Sequence, residues 1–273
     1  SNTDLFLLDV DCVPTKVAGV PPDFFSKTGQ LWGNPLYNWE RMKKENYLWW
    51  IHRVKKCAEL YDVIRIDHFR AFDTYWAIPY GEKTAANGKW EIGPRMEFFE
   101  AVNHALGTAS GGSAVDIIAE DLGEVFDSVT ELLEASGFPG MKILQFGFNP
   151  ENQDSDHLPH HYPYNSVAYT GTHDNSTLKG WFNSEKAETR RMFKNYLRPA
   201  WLESINHAAF RALYQSRAKL VVLPMQDVLE LGEKARMNVP STLGGNWIWR
   251  MKKGKNTTGM AEKMNRLVRT YFR

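Results

Sequence analysis

Apolar and polar positions along this 273-residue chain follow two alternating periods. Short runs rich in β-branched and apolar residues read as strands: Val63-Ile64-Arg65-Ile66, Val115-Asp116-Ile117-Ile118-Ala119, Met141-Lys142-Ile143-Leu144-Gln145-Phe146, Ser166-Val167-Ala168-Tyr169 and Leu220-Val221-Val222-Leu223-Pro224-Met225. Between them the apolar residues recur at helical spacing. In 46–61 they fall at Trp50, Val54, Cys57, Ala58 and Tyr61, one face of a helix that feeds the first run. Further helices are expected over about 96–106, over about 125–135 with Gly137 and Pro139 as stop signals, and over 190–214 with Pro199 dividing it. Strands alternating with helices predict an α/β fold with parallel strands.

Five such strands do not close an eight-stranded barrel, and no internal repeat supplies the difference. The Gly/Pro/Lys-rich stretch 79–95 reads as an excursion at the mouth of the sheet rather than as a linker between domains.

Three of the runs lead into acids: the first into Asp67, the second into Glu120, and 166–173 into Asp174. Reactive groups collect at the carboxyl ends of parallel strands in α/β barrels, so three carboxylates at such ends predict an acid-based site. Arg65 and Asp67 are two apart on a strand and share a face. An adjacent guanidinium favours the ionised carboxylate, which suits a nucleophile. A buried structural ion pair fits Arg-Ile-Asp equally well. Glu120 has Asp121 beside it, and neighbouring carboxylates would raise its pKa, as a general acid at neutral pH requires; capping of the following helix is the competing reading, stronger for Asp121 than for Glu120. Thr172-His173-Asp174-Asn175 adds a His and a third acid, and by itself reads equally as a loop network or half of a metal site.

Composition narrows these readings. Lys and Arg total 33 against 32 Asp and Glu, a net charge of +1, which argues against a nucleic-acid partner held by a basic face. The basic run at Arg250, Lys252, Lys253 and Lys255 reads as solvated surface. Two cysteines, Cys12 and Cys57, give neither metal spacing nor a disulfide framework, and a reducing compartment is expected, cytoplasm or plastid stroma. No apolar run approaches the length of a membrane span. His157, His160 and His161 sit in a Pro-interrupted stretch without nearby Cys, so a metal is not expected. Gly111-Gly112 reads as a turn and not as a phosphate-binding fingerprint, and no Gly-x-Ser-x-Gly elbow is present. Ten tryptophans change the picture more. Trp32, Trp247 and Trp249 sit in loop-like sequence, where indole faces can stack on pyranose rings. Trp49, Trp50 and Trp201 fall in helical patterns and are expected in the core.

Seven ordered segments now bear on the family: 17–23, 29–37, Arg65-Ile66-Asp67-His68-Phe69-Arg70, Ile118-Ala119-Glu120-Asp121-Leu122-Gly123, Pro139-Gly140-Met141-Lys142, Tyr169-Thr170-Gly171-Thr172-His173-Asp174-Asn175 and Ala235-Arg236-Met237-Asn238. Together they resemble the amylomaltases, the 4-α-glucanotransferases or disproportionating enzymes of glycoside hydrolase family 77, over essentially the whole chain. The resemblance implies a TIM (β/α)8 barrel of which 1–273 is the C-terminal part, about strands four to eight, with the first three strands missing. It implies that Asp67 is the nucleophile, Glu120 the general acid/base and Asp174 the transition-state stabiliser. Arg65, His173, Asp121 and Asn238 would support them or bind sugar. Segment 17–37 would be a lid loop, with Gln30 and Trp32 at the acceptor side and Phe24 and Phe25 on the lid. The substrates implied are α-1,4-glucan or maltooligosaccharide donors and glucose or glucan acceptors, with no metal or organic cofactor. A further partner implied is the N-terminal half of the barrel. The alternatives are an α-glucan hydrolase of the amylase clan and an inactive glucan-binding fragment. Three positions depart from the family pattern: Ala71 where Gly is usual, Ser176 where Asp is common, and Phe24 in place of a Tyr.

Overall fold

The computed structural model of the protein describes residues 2–22, 26–107, 116–123, 126–240 and 242–273. Phe24 and Phe25, the turn at Gly111-Gly112, Val115 and residue 125 lie outside the described residues. The chain groups into two compact units, Ser1–Gly140 and Met141–Arg273.

The first unit opens with two strands, β1 (Lys16–Val20) and β2 (Gln30–Pro35), where a lid loop over 17–37 was expected. They pair antiparallel, with Gly19 opposite Leu31 and Val20 opposite Gln30. Gly19 is required by that approach, since a Cβ there would lie 2.2 Å from the Gln30 carbonyl oxygen. Sequence pattern hid the pair because β2, Gln-Leu-Trp-Gly-Asn-Pro, is largely exposed and has no buried face to impose alternation.

Helices α1 (Trp39–Lys44) and α2 (Leu48–Ala58) follow, the first capped by the Asn38 side chain accepting from the Arg41 N–H at 3.0 Å. Helix α2 turns the expected Trp50 and Val54 inward, with Ile51 beside them, but it stops at Ala58, so Tyr61 lies beyond it and is exposed. The chain then runs through β3 (Val63–Ile66), β4 (Thr74–Pro79), β5 (Lys89–Ile92), α3 (Arg95–Ala105), β6 (Asp116–Ala119) and α4 (Asp127–Ser136). Gly137, at φ 69°, ends α4 as the stop signal predicts.

Strand β5 lies inside the 79–95 excursion. It extends an antiparallel sheet of order β2-β1-β4-β5, in which Trp76 faces Trp90 in register and their rings meet at 5.1 Å. Strands β3 and β6 form a separate parallel pair. Phe69, Phe72, Phe98 and Phe99 fill the core of the unit, with Trp39 and Trp50 packed against them.

In the second unit β7 (Gly140–Ile143), β8 (Ser166–Tyr169) and β9 (Leu220–Val222) form a sheet in that order, β8 and β9 parallel. Helices α5 (Leu178–Ser184), α6 (Ala187–Leu197), α7 (Ile205–Gln215), α8 (Met225–Val228) and α9 (Thr258–Tyr271) complete it. Phe148, Phe193, Leu197, Ala208 and Leu213 make its core. The expected helical stretch 190–214 is divided as Pro199 predicts: Arg198, at φ 43°, ends α6, and Ser204 caps α7. Trp201 falls in that break, 92% exposed, and not in the core where a continuous helical pattern would have put it.

All five expected strands are present, as β3, β6, β7, β8 and β9, but β7 stops at Ile143, where Leu144–Gly147 turns into a 3-10 helix, and β9 stops at Val222, with Met225 already in α8. The chain is α/β, but among the described residues its sheets are small and mixed: two parallel strands, three in a second sheet, and four antiparallel strands that the alternation of strands and helices did not foresee.

Candidate active site

Parallel pairing of β3 with β6 sets Val63 against Asp116 and Ile66 against Ala119. Both strands end one residue before an acid, β3 before Asp67, which opens a turn, and β6 before Glu120, and Asp67 lies close enough to act electrostatically on Glu120. Asp67 projects outward, its side chain 75% exposed, and Arg65 Nη1 donates to its Oδ1 at 2.6 Å. The ion pair is therefore solvent-facing, and a buried structural bridge does not describe it.

Glu120 is held by backbone donors. The His68 N–H reaches Oε2 at 2.6 Å and the Leu122 N–H reaches Oε1 at 3.1 Å. His68 takes the left-handed conformation, φ 50°, as the chain turns out of β3, and the Phe69 N–H donates to the Glu120 carbonyl oxygen at 2.9 Å. Burial lifts the Glu120 pKa to about 7. The two backbone donors and Arg65 oppose that rise, and Asp67 adds to it. A neighbouring acid therefore contributes as the sequence suggested, but desolvation is the main cause and the acid is Asp67, not Asp121. The Asp121 carboxylate instead lies over Gly140, where a Cβ would be 2.5 Å from Oδ2.

Trp32 and Gln30, two apart on β2, share a face, and Trp32 Nε1 donates to Gln30 Oε1 at 3.3 Å. The Trp32 ring meets the His68 imidazole edge-on at 4.8 Å. Burial, helped by Arg70, lowers the His68 pKa to about 4, so this imidazole is neutral at physiological pH. Gln30, Trp32, Arg65, Asp67, His68 and Glu120 are thus linked by contacts within the first unit. His68 was not singled out from sequence; its place directly after Asp67 was the available signal.

In the second unit Asp174 sits in the turn that leaves β8. Asn238 Nδ2 donates to its Oδ1 at 2.5 Å, His173 Nε2 lies 3.3 Å from its Oδ2, and Arg236 Nη2 donates to its carbonyl oxygen at 2.7 Å. The Asn238 N–H donates to the His173 carbonyl oxygen at 3.1 Å, which ties the 236–238 segment to this turn. The Trp247 ring meets the His173 ring at 5.0 Å, tilted by 38°. An open pocket of about 150 Å³ lies here, lined among others by Thr172, His173, Gln226, Arg236 and Trp247. Arg236 was not picked out from sequence although it stands two residues before Asn238.

The three histidines weighed as metal ligands are engaged separately. His157 Nδ1 accepts from the Ile143 N–H at 3.0 Å, His160 Nδ1 pairs with the Tyr196 hydroxyl at 2.9 Å, and His161 Nδ1 pairs with the Ser155 carbonyl oxygen at 3.0 Å. Among the described residues no group of His, Cys, Asp or Glu is arranged to hold a metal ion, and no helix is long and apolar enough to cross a membrane.

The first unit thus holds two acids just beyond the ends of parallel strands, Asp67 ion-paired and exposed and Glu120 with its pKa lifted to about 7. Comparison with known proteins gives the family. Residues 1–257 match the family model described as 4-alpha-glucanotransferase, and the chain belongs to that family. A 4-alpha-glucanotransferase of Streptococcus pneumoniae is 50% identical over 274 aligned residues, covering 100% of this chain and 53% of that protein. A chloroplastic/amyloplastic 4-alpha-glucanotransferase of Arabidopsis thaliana is 42% identical, covering 98% of this chain and 45% of that one. The solved amylomaltase of Streptococcus agalactiae, in complex with acarbose, superposes with a TM-score of 0.93 at 41% identity, over 99% of this chain and 53% of that chain. The chain spans about half the length of the curated relatives it matches.

Proposed function

We propose that this chain carries the catalytic acids of a 4-α-glucanotransferase, which moves α-1,4-glucan segments to the 4-hydroxyl of an acceptor glucan or glucose with retention at the anomeric carbon. The observation that carries this reading is the pairing of β3 with β6. It supports a site in which an arginine-paired, exposed Asp67 works with a Glu120 whose pKa is about 7. Retaining glycosidases place their two carboxyls about 5 to 5.5 Å apart, the separation this mechanism requires of Asp67 and Glu120.

In this mechanism Asp67 attacks the anomeric carbon while Glu120 gives its proton to the departing glycosidic oxygen, leaving a glucosyl ester on Asp67. Glu120, now a carboxylate held by the His68 and Leu122 N–H groups, takes the proton of the acceptor 4-hydroxyl as that oxygen displaces Asp67. Asp174, on the family motif with His173 and Asn238, is assigned the stabilisation of the oxocarbenium-like state. Gln30 and Trp32 are assigned the acceptor side, where an amide can meet hydroxyls and an indole can meet a pyranose face. The strands of segment 17–37 that carry them would serve as the lid that keeps water from the ester.

The finer fold reading is a partial (β/α)8 barrel, strands four to eight, completed by an N-terminal half. Two edges support it. Among the described residues β3 pairs only with β6 and β9 only with β8, and both edge strands expose apolar side chains, Val63 at 45% and Leu220 at 44%. The test is incubation of the chain, alone and with an N-terminal half supplied, with maltotriose. Transfer predicts glucose and longer oligosaccharides at constant total reducing ends. Rising reducing ends would mark a hydrolase, and binding without turnover in both forms would mark a non-catalytic glucan module.

A further inference from the structure

The turn that carries Asp174 runs from Gly171 to Thr177, between the end of β8 and the start of α5, and a single buried carboxylate grips it at both ends. Asp227 Oδ2 accepts from the Thr170 hydroxyl at 2.5 Å, and its Oδ1 accepts from the Leu178 N–H at 2.7 Å. Thr170 directly precedes the turn and Leu178 directly follows it. Asp227 is 1% exposed, at the outlet of β9 in α8, and Asn206 Nδ2 on α7 fixes its carbonyl oxygen at 2.8 Å.

We propose that Asp227 is a positioning residue for Asp174, fixing the width of the 171–177 turn by holding the two residues that flank it. This rests on the assignment of Asp174 to the glucan-transfer site. Within the turn the geometry is already set by Asn175, whose Oδ1 accepts from the Thr172 N–H at 2.8 Å and from the Thr172 hydroxyl at 2.9 Å. That leaves the placement of the turn as a whole, and two strand-end side chains fix it from either side. Gln145, beyond β7, donates from Nε2 to the Ser176 carbonyl oxygen at 3.0 Å, and a Cβ on Gly171 would meet that same nitrogen at 2.6 Å. Asp227, beyond β9, holds the flanks.

Taking a carboxylate out of water costs free energy unless its oxygens are bonded. Here each oxygen spends its bond on one end of the same seven-residue turn. An arrangement that served only to start α5 would not need this, because Thr177 Oγ1 already caps that helix by accepting from the Gly180 N–H at 3.1 Å. Misplacement of a reacting group by about 1 Å can cost about a hundredfold in rate, which gives the clamp its leverage.

The experiment is a double-mutant cycle in the form of the protein that turns over maltotriose. Asp227→Asn keeps the volume and one acceptor, and Thr170→Val releases one end of the turn. Asp227→Ala releases both. Each is measured alone and with Asp174→Asn, in kcat and KM, with acarbose affinity by calorimetry where turnover of the Asp174→Asn protein is too slow to follow. Expected is a fall in kcat of about a hundredfold for Asp227→Ala and about tenfold for the other two, with KM changed less than threefold and the folded fraction unchanged at the assay temperature. In the Asp174→Asn background the same changes should cost less than about threefold, because the group they position is gone. Equal losses in both backgrounds, or wild-type kcat in all three single variants, would overturn the clamp. Failure of the underlying assignment reads differently: Asp174→Asn alone would then keep wild-type turnover.

Discussion

Glu120 shows how one residue acquires its chemistry from its surroundings. A glutamate at the end of a parallel strand titrates near 4.5 when solvated, and burial here moves it to about 7. Above that pH the acid needed for departure of the leaving group is lost. We therefore expect kcat/KM for maltotriose to fall about tenfold per pH unit beyond about pH 7, and a profile flat to pH 9 would show that another group supplies the proton. Glu120→Gln should lose 10²- to 10⁴-fold on maltotriose. It should recover glycosylation of Asp67 by a glycosyl fluoride, whose leaving group needs no proton, as a burst of released fluoride. Asp67→Asn should show neither turnover nor burst. His68 and Arg65 belong to the same local account. The first turns a backbone N–H to Glu120, and the second keeps a cation on Asp67.

Elements decide whether those residues stay where they are useful. Gly19 lets β1 approach β2 so closely that any side chain would collide with the Gln30 carbonyl. Gly19→Val should displace the strand that carries Gln30 and Trp32 and lower turnover more than tenfold, with protease cleavage appearing in 17–37; unchanged kinetics would remove that hairpin from the site. Stability of the α6–α7 corner rests on Glu203, whose Oε1 and Oε2 accept from Arg211 at 3.1 and 3.0 Å and whose Oε2 accepts from the Ala200 N–H at 2.9 Å. These bonds, with the Arg211 contact largest, hold its pKa near 2, and only 10% of the side chain is exposed. A depressed carboxylate stabilises above its unfolded pKa. Glu203→Gln should thus cost about 2 to 3 kcal/mol in urea unfolding at pH 7, a difference that shrinks as pH falls from about 4.5 toward 2.

For the whole molecule, the edges of β3 and β9, which meet no further strand among the described residues, set the expectation. An unpaired strand edge with apolar side chains is a template for association. We expect the isolated chain to aggregate with rising concentration, and addition of an N-terminal half to suppress this, raise the melting temperature and bring maltotriose turnover. A monodisperse, fully active 273-residue chain would remove the need for that half.

The five strands, and the acids that follow three of them, were legible in the sequence because each strand is a short continuous run of β-branched and apolar residues, a run typical of parallel strands, although β3 and β9 are not buried on both faces here. Breaks at Pro199 and Gly137 were legible for a local reason, the backbone angles those residues fix or permit. The antiparallel sheet was not. Its strands β2 and β5 are short, exposed and rich in Gly or charge, and what makes them strands is the partner each meets, Trp90 against Trp76 and Gln30 against Val20. The same division runs through the site. Residue types and their order along the chain pointed to Asp67, Glu120 and Asp174 as the acids. Only tertiary structure decided that desolvation, more than a neighbouring acid, raises Glu120, that His68 donates to it, and that Asp227 holds both ends of the Asp174 turn. Burial and contacts between residues distant in sequence are properties of packing, and no local pattern of residues encodes them.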